Sequence, residues 1–245
     1  MSDYKTKLPT SLSTWGVLKL FLNSRGSDPE FAKELARRAL DQRPDEIDGL
    51  LVLDLGCGPG YYSEVMQDLG ACVISVEINE AEFKNTERWI KNPVVGDGRQ
   101  LPFESESFDA ILCSNVLEHT PESEVLLSEL TRCLKTNGWA YVSWTNWLSP
   151  WGGHAVAPLH YLGPKRSLAV WTRLFGKPKG KNIPLAGVWP YSIKQIIREI
   201  RNKPNVEILR IFPRYWPRLK VIARIPLVRE FLTWNCVITL RKIES

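Results

Sequence analysis

With 245 residues the chain is long enough for one α/β domain with a substantial core and a tight fit for two; its leading residues hold no apolar stretch of signal-peptide length, and nowhere do about 18 apolar residues run together, so a soluble or peripheral cytoplasmic chain is expected. Five scattered cysteines, Cys57, Cys72, Cys113, Cys133 and Cys236, form no CxxC pair and read as reduced core residues, against a zinc knuckle or disulfide framework. The net charge of +5 hides an asymmetry: residues 1–150 hold 14 Lys and Arg against 23 Asp and Glu, whereas residues 151–245 hold 18 against 4, so the C-terminal part should face something anionic.

After a polar leader, residues 15–22 offer a short amphipathic stretch. "SDPEFAKELARRALDQRPD" then reads as a helix, with Ser27 or Asp28 as cap, Pro29 in the first turn and an end before Pro44. Strands are expected at 50–54, 72–77, 94–95, 108–114 and 139–144, separated by helical patterns near 61–69, 79–90 and 122–135. Apolar strands alternating with helices imply a parallel sheet with helices on both faces. From 145 to 190 the pattern dissolves into Trp, Gly, Pro and Lys, too long for an ordinary connection, and reads as a functional insertion or lid. A helix at 193–200 and strands at 206–212 and 233–240 follow, with a basic segment between the last two strands.

The stretch "LLVLDLGCGPGYYSEV", residues 50–65, packs apolar residues ahead of a glycine-rich turn. Gly56, Gly58 and Gly60 permit a sharp turn and close ligand approach at the C-terminal edge of the first strand, where open α/β sheets bind ligands. A nucleotide-like cofactor is the first candidate. The dinucleotide fingerprint would need glycine where Tyr61 stands, so the spacing is G-x-G-x-G and a nicotinamide-dependent oxidoreductase becomes the weaker reading. Glu77, ending the second strand, can accept hydrogen bonds from both hydroxyls of a ribose. Asp97 in "VVGDGRQLPF" can accept from an adenine amino group while a backbone N–H of the Gly98–Arg99 turn meets a ring nitrogen. Taken singly, Glu77 could also be a surface strand end and Asp97 a turn former.

Together, "VLDLGCGPG", "VEI", "GDGRQLPF", "FDAILCSNVLEH" and "LKTNGWAYVSW" resemble, in order and spacing, the class I S-adenosylmethionine-dependent methyltransferases of the type 11 pattern. The resemblance implies a Rossmann-like fold, a seven-stranded mostly parallel sheet with helices on both faces. It also implies S-adenosyl-L-methionine as cofactor. By it, Asp54 and the glycine loop of Gly56, Cys57, Gly58 and Gly60 hold the methionine part, Glu77 with Ile78 the ribose side, and Asp97 with Gly98 the adenine. Ser114 and Asn115 complete the set. The expected organisation is an N-terminal helical lid segment at 1–48 and a methyltransferase domain at 49–245, with an acceptor lid at about 146–190. Methyl transfer is an in-line displacement, so alignment and exclusion of water carry much of it.

His119, His154 and His160, the only histidines, all follow the expected fourth or fifth strand and are the catalytic candidates. The family often places the histidine of "SNVLEH" beside the active site, and an unperturbed pKa of about 6.5 suits a general base near neutral pH. A backbone-bonded histidine at a helix start is the plainer reading. "NVLEH" also resembles the ExxEH magnesium site of some methyltransferases, but Asn115 replaces the first carboxylate and weakens hard-cation binding, so no metal is expected. The insertion "NWLSPWGGHAVAPLHYLGP", together with "FPRYWPR" and "IPLVREFL", resembles a group of largely uncharacterised actinobacterial methyltransferases. In it Gly152 and Gly153 permit a tight loop, and Trp147, Trp151 and Tyr161 can wall an acceptor pocket or simply pack a cover.

Eight of the ten tryptophans fall between Trp139 and Trp234, and "RYWPRLKVIARIPLVREFL" alternates basic and apolar positions, an interfacial rather than spanning pattern. No RNA-binding module and no NPPY-type motif stand in the chain, so nucleic acid is not the expected partner. A small-molecule or lipid-linked acceptor is, including a sugar hydroxyl of an envelope glycolipid reached from an anionic membrane surface. The alternatives are a quinone-like or other soluble acceptor, and a cofactor-binding membrane-surface protein without catalysis.

Overall fold

A computed structural model of the chain describes residue 16 and residues 29–83, 90, 93–180 and 182–244. Apart from Gly16 the amphipathic stretch at 15–22 lies outside them, as do residues 84–89 of the helix expected at 79–90 and most of the lid segment at 1–48. The elements, in chain order, are α1 (Pro29–Leu40), β1 (Leu51–Leu55), α2 (Tyr61–Asp68), β2 (Cys72–Glu77), α3 (Glu80–Phe83), β3 (Pro93–Val95), β4 (Phe108–Ser114), α4 (Ser123–Cys133), β5 (Leu134–Thr145), α5 (Pro164–Phe175), α6 (Ile193–Arg201), β6 (Val206–Pro213), α7 (Lys220–Arg224), α8 (Pro226–Leu232) and β7 (Asn235–Lys242). Short 3-10 turns stand at Leu117–His119, His154–Val156 and Leu159–Leu162.

Seven strands form one sheet in the order β3-β2-β1-β4-β5-β7-β6. β1 and β2 pair parallel, as do β2 and β3, and β6 runs antiparallel to β7. The described residues fall into two compact units, one within Met1–Leu112 and Cys133–Trp139, the other within Cys113–Arg132 and Ala140–Ser245.

In the first unit, burial of Val52, Leu53 and Leu55 makes β1 a core strand whose one charged residue, Asp54, is buried with them. α1 opens on Pro29 and Glu30 and closes on Arg37 and Arg38, the charge order that the helix dipole favours. The Lys33–Glu64 ion pair, 2.8 Å, joins it to α2. Asp109 accepts from Leu51 N–H at 2.9 Å and from Lys135 Nζ at 2.8 Å. That second bond, with Thr136 Oγ1 to Glu106 at 3.0 Å, explains why β5 begins already at Leu134 although "KTNG" looks like a turn. Gly138 lies so close to β4 that a Cβ there would come within 2.8 Å of the Asp109 carbonyl oxygen.

In the second unit, α6 buries Ile193, Ile196, Ile197 and Ile200, the i, i+3, i+4, i+7 stripe that drives a helix onto a sheet. Ser192 accepts from Gln195 N–H at 3.1 Å, and the Glu230 carboxylate takes the Ile193 and Lys194 N–H groups at 2.9 and 2.8 Å. The insertion is less irregular than its composition implies. Residues 164–175 form α5, with Gly163 before Pro164 at the first turn and the ring of Trp171 against that of Phe175. Two short helices, α7 and α8, occupy the basic segment between β6 and β7. All five cysteines are free; Cys72 is exposed, against the expectation of a core residue, because it opens β2 on the outward side of the pleat.

Candidate active site

Asp54, the glycine loop and Glu77 gather at the turn after β1, in the first unit. Gly56, Gly58 and Gly60 stand at φ 69°, 49° and 79°, a left-handed repeat that other residues rarely adopt and the physical reason for the G-x-G-x-G spacing. The Gly56 and Cys57 N–H groups both donate to the Val76 carbonyl, at 2.7 and 3.0 Å, which ties the turn to β2. Gly58 N–H donates to Glu77 Oε2 at 3.0 Å, while Oε1 accepts from Ile78 and Asn79 N–H at 3.0 and 3.2 Å. The carboxylate therefore sits against the glycine turn, held there by three backbone donors. Beside it Ile78 leaves its apolar side chain 65% exposed.

Beneath the turn, Asp54 accepts from Ser63 Oγ at 2.5 Å, and Ser63 Oγ lies 2.8 Å from Ser75 Oγ. Burial pushes the Asp54 carboxyl up to about 7; the Ser63 hydrogen bonds oppose the rise and the nearby Glu77 charge adds to it. Burial likewise pushes the Cys57 thiol up, with the Asp54 and Glu77 charges adding, so Cys57 is a packing residue and not a nucleophile. At the third strand, Asp97 is clamped by Arg99. Its Oδ1 accepts from Arg99 N–H at 2.9 Å and its Oδ2 from Arg99 Nη2 at 2.7 Å, and these bonds hold its carboxyl below the usual carboxylate range. Arg99 N–H is thus spent on Asp97, which leaves Gly98 N–H as the candidate donor of this turn for a ring nitrogen.

The second unit holds the remaining candidates. Asn115, at φ 57°, donates its N–H to the Ser143 carbonyl at 2.9 Å and accepts at Oδ1 from Asn235 Nδ2 at 2.7 Å. Ser114 Oγ lies 3.3 Å from Ser143 Oγ. Among the described residues no group of three His, Cys, Asp or Glu side chains gathers as metal ligands.

His119 sits in a turn clamped by the end of the insertion. Trp189 N–H donates to the Glu118 carbonyl at 2.7 Å, Tyr191 OH to the Thr120 carbonyl at 3.0 Å, and Thr145 N–H to Glu118 Oε1 at 2.8 Å. His119 Nδ1 lies 2.7 Å from the Gly187 carbonyl oxygen. A carbonyl can only accept, so Nδ1 carries the proton and Nε2 keeps its lone pair. The ring of His154 lies 6.0 Å away, centroid to centroid. Burial, and after it the nearness of His119 and His160, lowers the His154 pKa to about 4, so it is neutral at neutral pH.

His160 is built differently. It is fully buried, donates from Nε2 to the Ser149 carbonyl at 3.0 Å, and packs its ring on Trp147 and Tyr161. Gly153 lies against that ring so closely that a Cβ would overlap it. The structure therefore brings His119 and His154 together and makes His160 the internal pin of the loop. Of the aromatic residues expected to wall a pocket, Trp147 is buried in the loop, while Trp151 and Tyr161 remain about half exposed. Sequence reasoning missed Ser63, Ser75 and the Gly187 carbonyl. A serine inside the apolar strand "CVISVE" was a readable signal, whereas a backbone carbonyl leaves none.

Comparison with known proteins fits this geometry. A profile described as a methyltransferase domain matches residues 53–142. An uncharacterised methyltransferase of Mycobacteroides abscessus is 36% identical over 201 residues, covering 79% of this chain and 76% of that protein. One of Mycobacterium tuberculosis is 36% identical over 197 residues, covering 78% and 76%. Among solved structures, an S-adenosylmethionine-dependent methyltransferase of Mesorhizobium loti matches with a TM-score of 0.60 at 17% identity over 88% of this chain and 99% of that one. Another, of Archaeoglobus fulgidus, matches with 0.59 at 18% identity over 92% and 99%. The chain belongs to the class I S-adenosylmethionine-dependent methyltransferases, and its sheet has their Rossmann-like arrangement. Its cofactor is S-adenosyl-L-methionine.

The residues present fit that cofactor. A Cβ at Gly58 would meet nothing within 4 Å, so the turn borders open space into which a ligand can come close to the backbone. Glu77 offers a charged acceptor at its edge, Ile78 an open apolar face, and Asp54 a buried carboxyl for a cationic group. Gly60 answers a packing need instead, since a Cβ there would come 2.7 Å from the Ile90 side chain.

Proposed function

We propose that the chain methylates a hydroxyl, most specifically a sugar hydroxyl on a lipid-linked envelope acceptor, with His119 as general base. The carrying observation is the His119 Nδ1 to Gly187 carbonyl bond, 2.7 Å, which fixes one tautomer and leaves Nε2 to receive a proton. S-adenosylmethionine, held by the glycine turn, Glu77 and Asp97, would supply a sulfonium methyl group, the C–S electron pair staying on sulfur as the acceptor oxygen takes the methyl and gives up its proton. His119 Nε2 takes the hydroxyl proton. A hydroxyl holds its proton tightly, so a positioned base contributes about 10²-fold to 10⁴-fold. His154, neutral and half-buried, lines the same place without adding a charge that would compete for the proton. The clamp of residues 187–191 on the 117–120 turn orients the base.

The acceptor class draws on the resemblance of the 146–164 and 212–232 segments to actinobacterial methyltransferases, and on a C-terminal part carrying 18 basic residues against 4 acidic ones. Such a surface suits an acceptor carried on an anionic lipid. The test is formation of S-adenosylhomocysteine from S-adenosylmethionine in the presence of an envelope glycolipid extract. The proposal expects turnover that needs the extract and is lost in His119→Asn. Turnover only with water-soluble extract, or equal turnover in the variant, overturns it.

A further inference from the structure

The segment between β6 and β7 exposes apolar side chains at an unusual density. Trp216, Leu219, Val221, Ile225, Leu227, Phe231 and Leu232 are each 46–78% exposed. Single exposed apolar residues are ordinary, but a contiguous set marks an interaction surface. Exposed Arg218, Lys220 and Arg224 are interleaved with them. The one acid of the segment, Glu230, is buried and spent on the first N–H groups of α6. The exposed residues of the segment are therefore apolar or cationic, and none is an anion.

This platform is firmly seated. α7 packs on β6 and on α8, and α8 packs on α6. Asn146, the residue after β5, donates its N–H to the Trp234 carbonyl at 3.0 Å and its Nδ2 to the Glu230 carbonyl at 2.5 Å. Trp234 stacks on Trp151 at 4.5 Å and packs on Tyr215 at 5.2 Å. The face is thus fixed to the start of the loop that carries His154.

We infer that α7, α8 and the Trp216 turn dock on an anionic lipid bilayer, the apolar side chains entering the headgroup–acyl boundary and Arg218, Lys220 and Arg224 meeting lipid phosphates. Short helices with mixed apolar and basic exposure are suited to lie in that boundary. A second copy of the chain is a poorer occupant. A two-fold contact sets a patch against itself, so the three cations would face their own copies with no acid to offset them. The inference deepens the lipid-linked reading above by naming the surface that brings the enzyme to its acceptor.

Co-sedimentation of the full chain with vesicles tests it, with no acceptor present, so that its failure leaves methyl transfer untouched and failure of transfer leaves vesicle binding intact. The protein is expected to sediment with phosphatidylglycerol–phosphatidylcholine vesicles at low salt, to release as salt rises, and to bind pure phosphatidylcholine poorly. Arg218→Gln, Lys220→Gln and Arg224→Gln together should weaken binding about 100-fold, since each cation near such a surface contributes about fivefold. Val221→Glu with Leu227→Glu, both at open positions, should abolish binding while far-ultraviolet circular dichroism and S-adenosylhomocysteine affinity stay unchanged. Equal binding to both vesicle types, or full binding by both variants, overturns the inference. So does self-association without lipid that the Val221→Glu, Leu227→Glu pair abolishes.

Discussion

Replacing Glu77 by alanine separates the hold of the side chain on the glycine turn from the role proposed for it at the cofactor ribose. In the free protein its oxygens accept from Gly58, Ile78 and Asn79 N–H at 3.0, 3.0 and 3.2 Å. The last two donors are exposed and turn to water when the carboxylate is gone, so only the part-buried Gly58 bond counts against the fold. Its loss costs about 1 kcal/mol, a fall of about 2–4 °C in Tm for a chain of this size. With cofactor bound, two ribose hydroxyls lose a charged acceptor. At about 1.5 kcal/mol each, the lower end for such bonds because the site is half open, affinity falls by about 3 kcal/mol or about 100-fold in Kd. Titration calorimetry with S-adenosylhomocysteine reads the second quantity and a thermal melt the first. Glu77→Gln, which keeps one acceptor oxygen but not the charge, should fall between, near tenfold. A Glu77→Ala protein that binds within about threefold of the parent would refute the placement of the ribose at the end of β2.

Two further substitutions probe the chemistry. His119→Asn places an amide N–H where Nδ1 donates to Gly187 and removes Nε2, so turnover should drop about 10²-fold to 10⁴-fold with Tm and cofactor affinity preserved, whereas His119→Ala should lose turnover and stability together. Normal turnover in the Asn variant would make the histidine a tether for the loop. Asp54, raised to about 7 by burial, would have to ionise to take the proposed role of meeting the ammonium of the cofactor's methionine. Binding would lower that pKa, so affinity for S-adenosylhomocysteine should rise as pH approaches about 7 from below and level off above it, with a proton released on binding below that pH. Calorimetry in buffers of different ionisation enthalpy measures the release, and a flat profile, or one unchanged in Asp54→Asn, would contradict this role.

The turn after β1 and the strands beside it were legible in the sequence because their physics is local. Three glycines at alternate positions force the left-handed turn, an apolar run forces β1 into the core, and Glu77 at the end of β2 and Asp97 just past β3 are fixed by where those strands stop. β2 and β4 fall on their expected bounds, Cys72–Glu77 and Phe108–Ser114. Elements that depend on distant partners were harder to read. β5 starts early because Asp109 and Glu106 hold Lys135 and Thr136, and local composition carries no trace of that. α5 hides between Gly163 and a Lys-rich tail, and α7 and α8 are each too short to show a helical period. The histidines looked equivalent in sequence. Burial divides them, since His160 lies under Gly153 while His119 finds a carbonyl 68 positions away.

The most direct measurement is mass spectrometry of lipid and aqueous fractions after the purified enzyme is incubated with envelope extract and trideuteromethyl-labelled S-adenosylmethionine. One labelled family of species is expected in the lipid fraction. Mild alkali should leave the label in place, as an ether methyl requires, and acid hydrolysis should release it on a sugar. Label found only in water-soluble products, in protein or on an alkali-labile ester would contradict the proposed acceptor, and S-adenosylhomocysteine formation without any labelled product would contradict methyl transfer to it.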